Sequence, residues 1–255
     1  MNQHPKSILF LGYDRSQTRL IEELEKSGCH VTHKAEKLDS LKGFDVVISF
    51  GYRHILSKVA ILGANAPVIN LHISFLPWNK GAHPNFWSFW DNTPAGVTIH
   101  LIDEGIDTGH ILFQKLLSFD LEKETFASTQ QILIDEIEKL FIEKMHKILE
   151  SDYEVFPQRG RGSMHRKNAF PKDFSGWDAV IGVEIRRLED NGFSPQRDKL
   201  ELINKIEQVR TANNVNWMNL LRVVAEVAPE RLSEITSKIN ESDNLISSYF
   251  KQLGE

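Results

Sequence analysis

The sequence predicts an α/β protein with a mostly parallel sheet and a small helical C-terminal extension. In the first half of the chain, short apolar runs alternate with stretches of helical periodicity, which is typical of strand–helix–strand units. From Pro195 onward the apolar residues follow helical spacing alone. These patterns divide the chain into an α/β domain at 1–150, an irregular bridge at 151–194 and a helical tail at 195–255.

Six apolar or β-branched runs predict the strands of the sheet. They lie at 7–11, around Val31, and at 45–49, 68–72, 97–102 and 111–119. A helix is predicted from Leu20 to Leu24, and it stops at Gly28 because glycine commonly ends helices. A long amphipathic helix is predicted over 125–150. Four aromatic residues between 86 and 90 predict the packed face of another helix rather than a base-stacking surface.

Composition indicates an ordinary globular protein of a reducing compartment. The chain has 255 residues, of which 41% are hydrophobic and 25% charged. The single cysteine, Cys29, excludes an intramolecular disulfide framework. The polar start of the chain is too short for a signal peptide, and no apolar run approaches the roughly 20 residues of a membrane helix. A net charge of −5 argues against a nucleic-acid surface. We therefore expect a cytoplasmic protein that binds neither membranes nor nucleic acid.

Two segments carry side chains suited to chemistry. Asn70 and His72 lie two residues apart at the end of a predicted strand, so their side chains share one face of the sheet. Ligands of open parallel sheets bind at the carboxyl ends of strands. The second segment, from Gly96 to Gly109, leaves the sheet through an acidic, glycine-flanked loop. This loop can hold Asp107 in an unusual backbone conformation.

Both segments resemble the folate-dependent formyltransferase family. The chain from Asn70 to Pro77 matches the family pattern Asn-x-His-x-Ser-x-Leu-Pro. The second segment contains Gly-Val-Thr-x-His and then Asp-x-Gly-x-Asp-Thr-Gly, in the family's order and spacing. The resemblance covers about residues 7–120. It implies a Rossmann-like formyltransferase fold, 10-formyltetrahydrofolate as the formyl donor, and Asn70, His72 and Asp107 as the catalytic residues.

These residue types suit the transfer of a formyl group to an amine, which passes through a tetrahedral oxyanion. The amide of Asn70 can donate a hydrogen bond to that oxygen, an interaction worth about 3 kcal/mol in other enzymes. His72 can stabilise the oxyanion when charged or relay a proton. Asp107 can orient His72 and favour its charged form, or accept a proton from the amine through water. The sequence leaves both roles of Asp107 open.

The resemblance also implies which residues form the two pockets. Around the pterin ring of the cofactor it places Tyr52, His54, Ile55, Leu56, Val68, Asp103, Glu104 and Gly105. The surface for the acceptor is predicted to contain Trp78, Asn79, Lys80, Gly81 and His83, where Lys80 can meet a phosphate or a sugar hydroxyl. Several histidines lie nearby, but their spacing matches no common zinc pattern, so no metal is predicted.

The predicted acceptor is a nucleotide-linked amino sugar used in surface polysaccharide. The segment from Gly162 to Lys167 resembles a Gly-Thr-Tyr-His-Lys-Lys segment of many sugar N-formyltransferases, with Met164 in place of the tyrosine. A methionyl-tRNA enzyme would be expected to carry a β-barrel after the core. A glycinamide ribonucleotide enzyme would be expected to show a glycine-rich loop near the first strand, where this chain has only Gly12.

Several alternatives stay open at this stage. The chain can formylate another amine, hydrolyse the formyl-folate, or bind folate or a nucleotide sugar without turnover. The amphipathic faces of the tail at 195–255 indicate a small bundle or a subunit interface. The tail can therefore bind the acceptor, form a homodimer or dock a neighbouring enzyme.

Overall fold

The computed structural model describes residues 4–160 and 162–193, together with Ser237. The chain divides into two units, Met1–Ser194 and Pro195–Glu255. The predicted helical tail therefore lies, apart from Ser237, outside the described residues. Among the described helices, none combines the length and the hydropathy that a membrane span requires.

The described residues form an α/β domain, as the sequence predicts. Its strands are β1 (Ser7–Gly12), β2 (His30–Lys34), β3 (Val46–Phe50), β4 (Val68–His72), β5 (Lys80–Gly81), β6 (Ala95–Leu101), β7 (Ile111–Leu117) and β8 (Met164–His165). Its helices are α1 (Leu20–Lys26), α2 (Lys58–Leu62), α3 (Pro84–Trp90), α4 (Phe126–Leu149) and α5 (Ile181–Asp190), and a 3₁₀ turn spans Lys167–Ala169. The six predicted strands and the three predicted helices are thus confirmed to within a few residues at their ends.

Six strands form the main sheet in the order β2-β1-β3-β4-β6-β7. The pairs β1–β2, β1–β3 and β3–β4 are parallel, whereas β4–β6 and β6–β7 are antiparallel. The mostly parallel sheet is therefore confirmed. Strand β4 lies where the pairing changes direction, and its register sets Asn70 directly opposite His100 of β6.

Both faces of the sheet are covered, which explains the continuous apolar run of β1. Ile8 and Phe10 pack into a cluster with residues of α1 and α4. Leu9 and Leu11, which point the other way, pack into a second cluster that includes Ala60 of α2. The long helix α4 begins after Thr125, whose side chain accepts a hydrogen bond from the backbone N–H of Ser128.

A third cluster surrounds the aromatic helix α3. Its members Phe86, Trp87, Phe89 and Trp90 are all buried, so their predicted role as a packed helix face is confirmed. They pack against Phe126 at the start of α4 and against α5. Strands β5 and β8 form a separate two-stranded parallel sheet, which holds the segment at 164–165 against the segment at 80–81.

The expectation of an irregular bridge at 151–194 is wrong for Ile181–Asp190, which form the ten-residue helix α5. Its apolar residues Ile181, Ile185 and Leu188 recur at spacings of four and three, and all three are buried against the aromatic cluster. The helical period is therefore present in the sequence, although the glycines and prolines around it obscure it.

Candidate active site

Asn70, His72 and Asp107 converge, as the two sequence motifs predict. The amide nitrogen of Asn70 donates to Oδ1 of Asp107 at 3.3 Å. Nε2 of His72 lies 3.8 Å from Oδ2 of the same carboxylate. Asn70 and His72 project from the carboxyl end of β4, and Asp107 reaches them from the loop between β6 and β7. All three side chains line one cavity.

The loop between β6 and β7 holds Asp107 in a left-handed conformation, with φ of 52°. Its carboxylate also accepts the backbone N–H of Gly81 at 2.8 Å. The loop is shaped around two glycines, because a Cβ at Gly109 would overlap the carbonyl of Leu101 and one at Gly105 would overlap Thr108. The unusual backbone geometry that the sequence predicts for Asp107 is therefore confirmed.

His100 supports this arrangement from the neighbouring strand. Its Nδ1 donates to the carbonyl oxygen of Leu101 at 2.7 Å, so in the neutral ring Nε2 carries no proton. Nε2 can then accept the amide N–H of Asn70 at 3.2 Å, and it lies 3.6 Å from Asp107. Because His100 is wholly buried, it orients Asn70 instead of meeting a ligand.

His72 is buried as well, and its Nε2 lies 3.3 Å from the carbonyl oxygen of Asn79. Burial lowers the pKa of His72 below its usual range, and the neighbouring Asp107 opposes that effect only in part. His72 is therefore neutral at neutral pH. The two groups near Nε2 are both oxygen acceptors, which places the single ring proton on Nε2 and leaves Nδ1 as a free base.

The carboxylate of Asp107 is ionised in this setting. Burial raises the pKa of Asp107, but the charges that His72 and His100 carry when they are protonated, together with the N–H of Gly81, outweigh burial and hold the pKa well below its usual range. The site thus combines an amide donor, a neutral imidazole and a fixed negative charge. Such a set can bind a polar carbonyl group, accept one proton and stabilise the resulting imidazolium.

The cavity has a volume of about 230 Å³ and an aromatic wall. Tyr13, Phe50 and Tyr52 line it on the side of β1 and β3, and Ile73 and Ile134 contribute further apolar surface. The sequence motifs did not indicate Tyr13, Ile73 or Ile134. A larger cavity of about 520 Å³ lies between α1 and the end of α4, but none of the predicted catalytic residues lines it.

The residues predicted to hold the pterin ring lie in two neighbouring segments. Among the eight, Tyr52 lines the cavity, and its hydroxyl donates to the carbonyl of Glu36 at 2.9 Å. Leu56 packs beside it, and Val68 is buried in the same cluster, so Val68 does not line the cavity. His54 and Ile55 are exposed.

The other three predicted pterin residues form an exposed turn. Oδ1 of Asp103 accepts the backbone N–H of Gly105 and the hydroxyl of Thr108, so this side chain shapes the loop that carries Asp107. Glu104 forms an ion pair of 2.6 Å with Lys58 at the start of α2. This pair ties the two predicted pterin segments together.

The predicted acceptor loop is only partly available to a ligand. Asn79 is fully buried, and its side chain bonds to Thr93 and to Ser163 at 2.8 and 3.0 Å. The prediction that Asn79 forms part of the acceptor surface is therefore wrong for its side chain, which fixes the loop from within. Trp78, Lys80, Gly81 and His83 are half-buried. The ring of His83 packs against Phe170, with centroids 4.4 Å apart.

The segment from Gly162 to Lys167 docks onto this loop. Gly162 lies so close to Pro77 that a Cβ would overlap the proline carbonyl. His165 stacks on Trp87 at 3.9 Å and donates to the carboxylate of Asp91 at 2.7 Å, so it holds the segment in place. Met164, which lies in this segment, is about half exposed.

Comparison with known proteins identifies the family of the chain. The model of the formyl transferase family matches residues 11–145. A methionyl-tRNA formyltransferase of Synechococcus sp. is 29% identical over 155 residues, which are 59% of this chain and 48% of the relative. A dTDP-4-amino-4,6-dideoxyglucose formyltransferase of Mycobacterium bovis is 27% identical over 163 residues, which are 64% of this chain and 62% of the relative. The chain thus spans less than two thirds of the length of these curated relatives.

A solved structure matches over nearly its whole length. The formyltransferase PseJ from Anoxybacillus kamchatkensis, in complex with UDP-4,6-dideoxy-4-formamido-L-AltNAc and tetrahydrofolate, is 40% identical with a TM-score of 0.65. The match covers 69% of this chain and 96% of PseJ. A sugar N-formyltransferase from Shewanella sp. shares the fold at 16% identity, with a TM-score of 0.59 over 71% of this chain and 87% of its own.

Proposed function

This chain belongs to the formyl transferase family, and from that premise we propose that it transfers a formyl group from 10-formyltetrahydrofolate to the amine of a nucleotide-linked amino sugar. The observation that carries the proposal is the convergence of Asn70, His72 and Asp107, from two separate motifs, on one cavity with an apolar wall. The PseJ structure, which holds tetrahydrofolate and a formylated UDP-sugar, supports both the donor and the acceptor class.

The donor pocket is proposed to lie between the segments at 52–56 and 103–105. The Lys58–Glu104 ion pair holds these segments together, and Tyr52 forms the part of the wall nearest the catalytic residues. An apolar aromatic wall suits a flat pterin ring, and exposed backbone groups of the turn suit its polar edge. The exposed side chain of Ile55 is then available for the rest of the cofactor.

In the proposed reaction, the lone pair of the substrate amine attacks the formyl carbon and forms a carbon–nitrogen bond. The resulting oxyanion accepts a hydrogen bond from the amide of Asn70, whose present bonds of 3.2 and 3.3 Å are long enough to be shared with a ligand. The proton lost by the amine passes to the free Nδ1 of His72. The oxyanion then re-forms a carbonyl as the bond to N10 of the folate breaks, and N10 takes up the proton held by His72, which leaves a formamide, tetrahydrofolate and a neutral His72.

The pKa directions support different roles for the two ionisable residues. Neutral His72 suits a proton acceptor, because its basic nitrogen is free before the reaction. Asp107, whose pKa is well below its usual range, is a poor base. Its fixed charge instead stabilises the imidazolium that forms when His72 takes the proton. Of the two roles that the sequence leaves open for Asp107, the proposal therefore adopts the orienting one.

The acceptor is proposed to meet the loop at 78–83 and the docked segment at 162–167. Lys80 is half-buried there, and its ammonium group can bind a diphosphate or a sugar hydroxyl. The amino-sugar relatives and PseJ support this acceptor class. We extend the proposal to a cytoplasmic enzyme, active as a homodimer, whose product enters surface polysaccharide. The reducing compartment that the single Cys29 indicates supports only the location.

The test is release of tetrahydrofolate from 10-formyltetrahydrofolate in the presence of UDP- and dTDP-linked amino sugars. Wild type is compared with His72→Gln, which keeps an N–H donor for the carbonyl of Asn79, and with His146→Gln at an exposed position of α4. Release that requires one sugar and His72, and that survives in the His146 variant, supports the proposal. Release without any acceptor indicates a hydrolase. Folate binding without release under any condition overturns the proposal in favour of a binding protein.

A further inference from the structure

A side chain outside both sequence motifs holds the backbone of Asp107. The amide nitrogen of Gln158 donates to the carbonyl oxygens of Asp107 and Gly109, each at 2.8 Å. An amide NH₂ group carries two hydrogens, so both bonds can form at once. The side chain thus bridges the two ends of the turn in which Asp107 sits.

The bridge acts on a conformation that a residue with a side chain adopts only at a cost in free energy. Asp107 has φ of 52°, in the left-handed region. That conformation directs its carboxylate to the amide of Asn70 and to the N–H of Gly81. If the backbone relaxed to a more common conformation, the carboxylate would move away from both partners and from His72.

Gln158 is itself anchored. Two residues before it, the backbone of Phe156 exchanges a reciprocal pair of hydrogen bonds with Ile111 at the start of β7, at 2.8 and 2.9 Å. The side chain of Gln158 is half-buried, and its Oε1 is a buried oxygen with no hydrogen-bond partner among the described residues. A buried acceptor left unpaired is unfavourable. Because Oε1 forms no bond with the described residues that could favour this orientation, the two hydrogen bonds of the side-chain nitrogen set the orientation of the amide.

We propose that Gln158 is a positioning residue for the formyl transfer, holding Asp107 in the conformation in which its carboxylate faces Asn70 and His72. The inference rests on the proposed function, in which these three residues act on the formyl group. It also assigns a catalytic purpose to the segment after α4, which lies outside the residues matched by the family model. The rival explanation is a tether that only fastens this segment to the β6–β7 loop.

The test compares Gln158→Met, which keeps the length of the side chain but cannot donate, with Gln158→Asn, which keeps the amide but is one methylene too short to bridge both carbonyls. Gln131→Met is the control, because Gln131 lies on the exposed face of α4, where its side-chain amide donates to Asp135, away from the site. We expect kcat to fall about 10- to 100-fold in the Met variant and less in the Asn variant, with KM for both substrates little changed. The control retains wild-type kcat.

A second readout needs no turnover. The N–H of Gly81 donates to the carboxylate of Asp107, so loss of the positioning bonds should speed hydrogen exchange at the Gly81 amide about tenfold, measured by NMR on the free protein. Exchange at Ile48, in the core of β3, should not change. Faster exchange at Gly81 supports the inference that Gln158 positions Asp107, whether or not any acceptor is formylated. A failure to formylate any acceptor would count against the proposed function and not against this inference.

The inference would be overturned if a Gln158 variant that has lost its two hydrogen bonds showed unchanged exchange at the Gly81 amide and a kcat within threefold of wild type. Gln158 would then be only a tether for the segment after α4. If the Met variant does not fold, the milder Asn variant gives the same two readouts. A fall in kcat that tracks a general loss of protection, at Ile48 as much as at Gly81, would likewise favour the tether.

Discussion

The negative charge of Asp107 is the feature of the site for which the effect of removal on kcat can be calculated most directly. Asp107→Asn keeps the loop, because asparagine tolerates the left-handed conformation and its side-chain oxygen can still accept the N–H of Gly81. The variant should therefore fold with the loop intact. It loses the negative charge that faces His72, and its NH₂ group replaces the Oδ1 that accepts the amide N–H of Asn70.

The size of the loss follows from the distance between the two groups. Unit charges 3.8 Å apart attract each other by about 4 kcal/mol at an effective dielectric of about 20. If His72 carries a full charge in the transition state, that energy corresponds to roughly three powers of ten in rate. Partial charge and some exposure of the carboxylate reduce the effect, so we expect kcat to fall about 100- to 1,000-fold.

The assay is tetrahydrofolate release at neutral pH with saturating donor and the best acceptor sugar. Asp152→Asn, an exposed position just after α4, is the matched control and should keep wild-type kcat. Thermal melting of both variants checks that folding is unchanged. If Asp107→Asn retained kcat within tenfold of wild type, the carboxylate charge would not stabilise the reacting imidazole, and the role assigned to it would be refuted.

Three further predictions concern the oxyanion, acid stability and a helix cap. Asn70→Ala should lower kcat about 100- to 1,000-fold with KM for the folate nearly unchanged, because the amide acts on the transition state; a rise in KM alone would contradict this. Burial raises the pKa of Glu184, but Arg187 and Ser175 outweigh it and lower the pKa to about 2. Because the pKa of Glu184 is lower in the folded state, its ionised carboxylate stabilises the fold fully above the unfolded-state pKa, and this contribution is lost as the pH falls toward 2. In urea unfolding over that pH interval, Glu184→Gln should therefore lose less stability than wild type. Thr125→Ala should reduce the free energy of unfolding by about 1 kcal/mol, since it removes the N-terminal cap of α4. Ser128→Ala, which removes the reciprocal hydrogen bond of the capping box, should also reduce the free energy of unfolding.

The sheet and the convergence of Asn70, His72 and Asp107 were predictable because their signals are local. A buried strand such as β3 shows an unbroken β-branched run, and the turn around Asp107 shows its glycines within a few residues. Asn70 and His72 face one cavity because side chains two apart on a strand share a face. Each of these inferences needs only the geometry of a single element.

The features that escaped prediction depend on contacts between distant segments. Gln158 meets the carbonyl of Asp107 across 51 positions, and Ser163 meets Asn79 across 84. No periodicity marks such contacts, because loops pack according to the whole tertiary structure. Asn79 shows the consequence: its place between two motif residues indicates a ligand contact, whereas the docked segment buries it completely.

These long-range contacts change where the functional part of the chain ends. A boundary at 150 follows the end of α4, yet contacts that bear on the site cross it. Among them, Gln158 holds Asp107, Ser163 holds Asn79, and Gly162 packs on Pro77. Because Asn79 in turn offers its carbonyl to His72, both ionisable residues of the site depend on residues after 150 for their geometry. The α/β core supplies the groups proposed to react, and described residues between 158 and 165 fix the loops that carry or contact them. The relatives' shared core is therefore sufficient to recognise the family, while the arrangement of this site needs the segment that follows it.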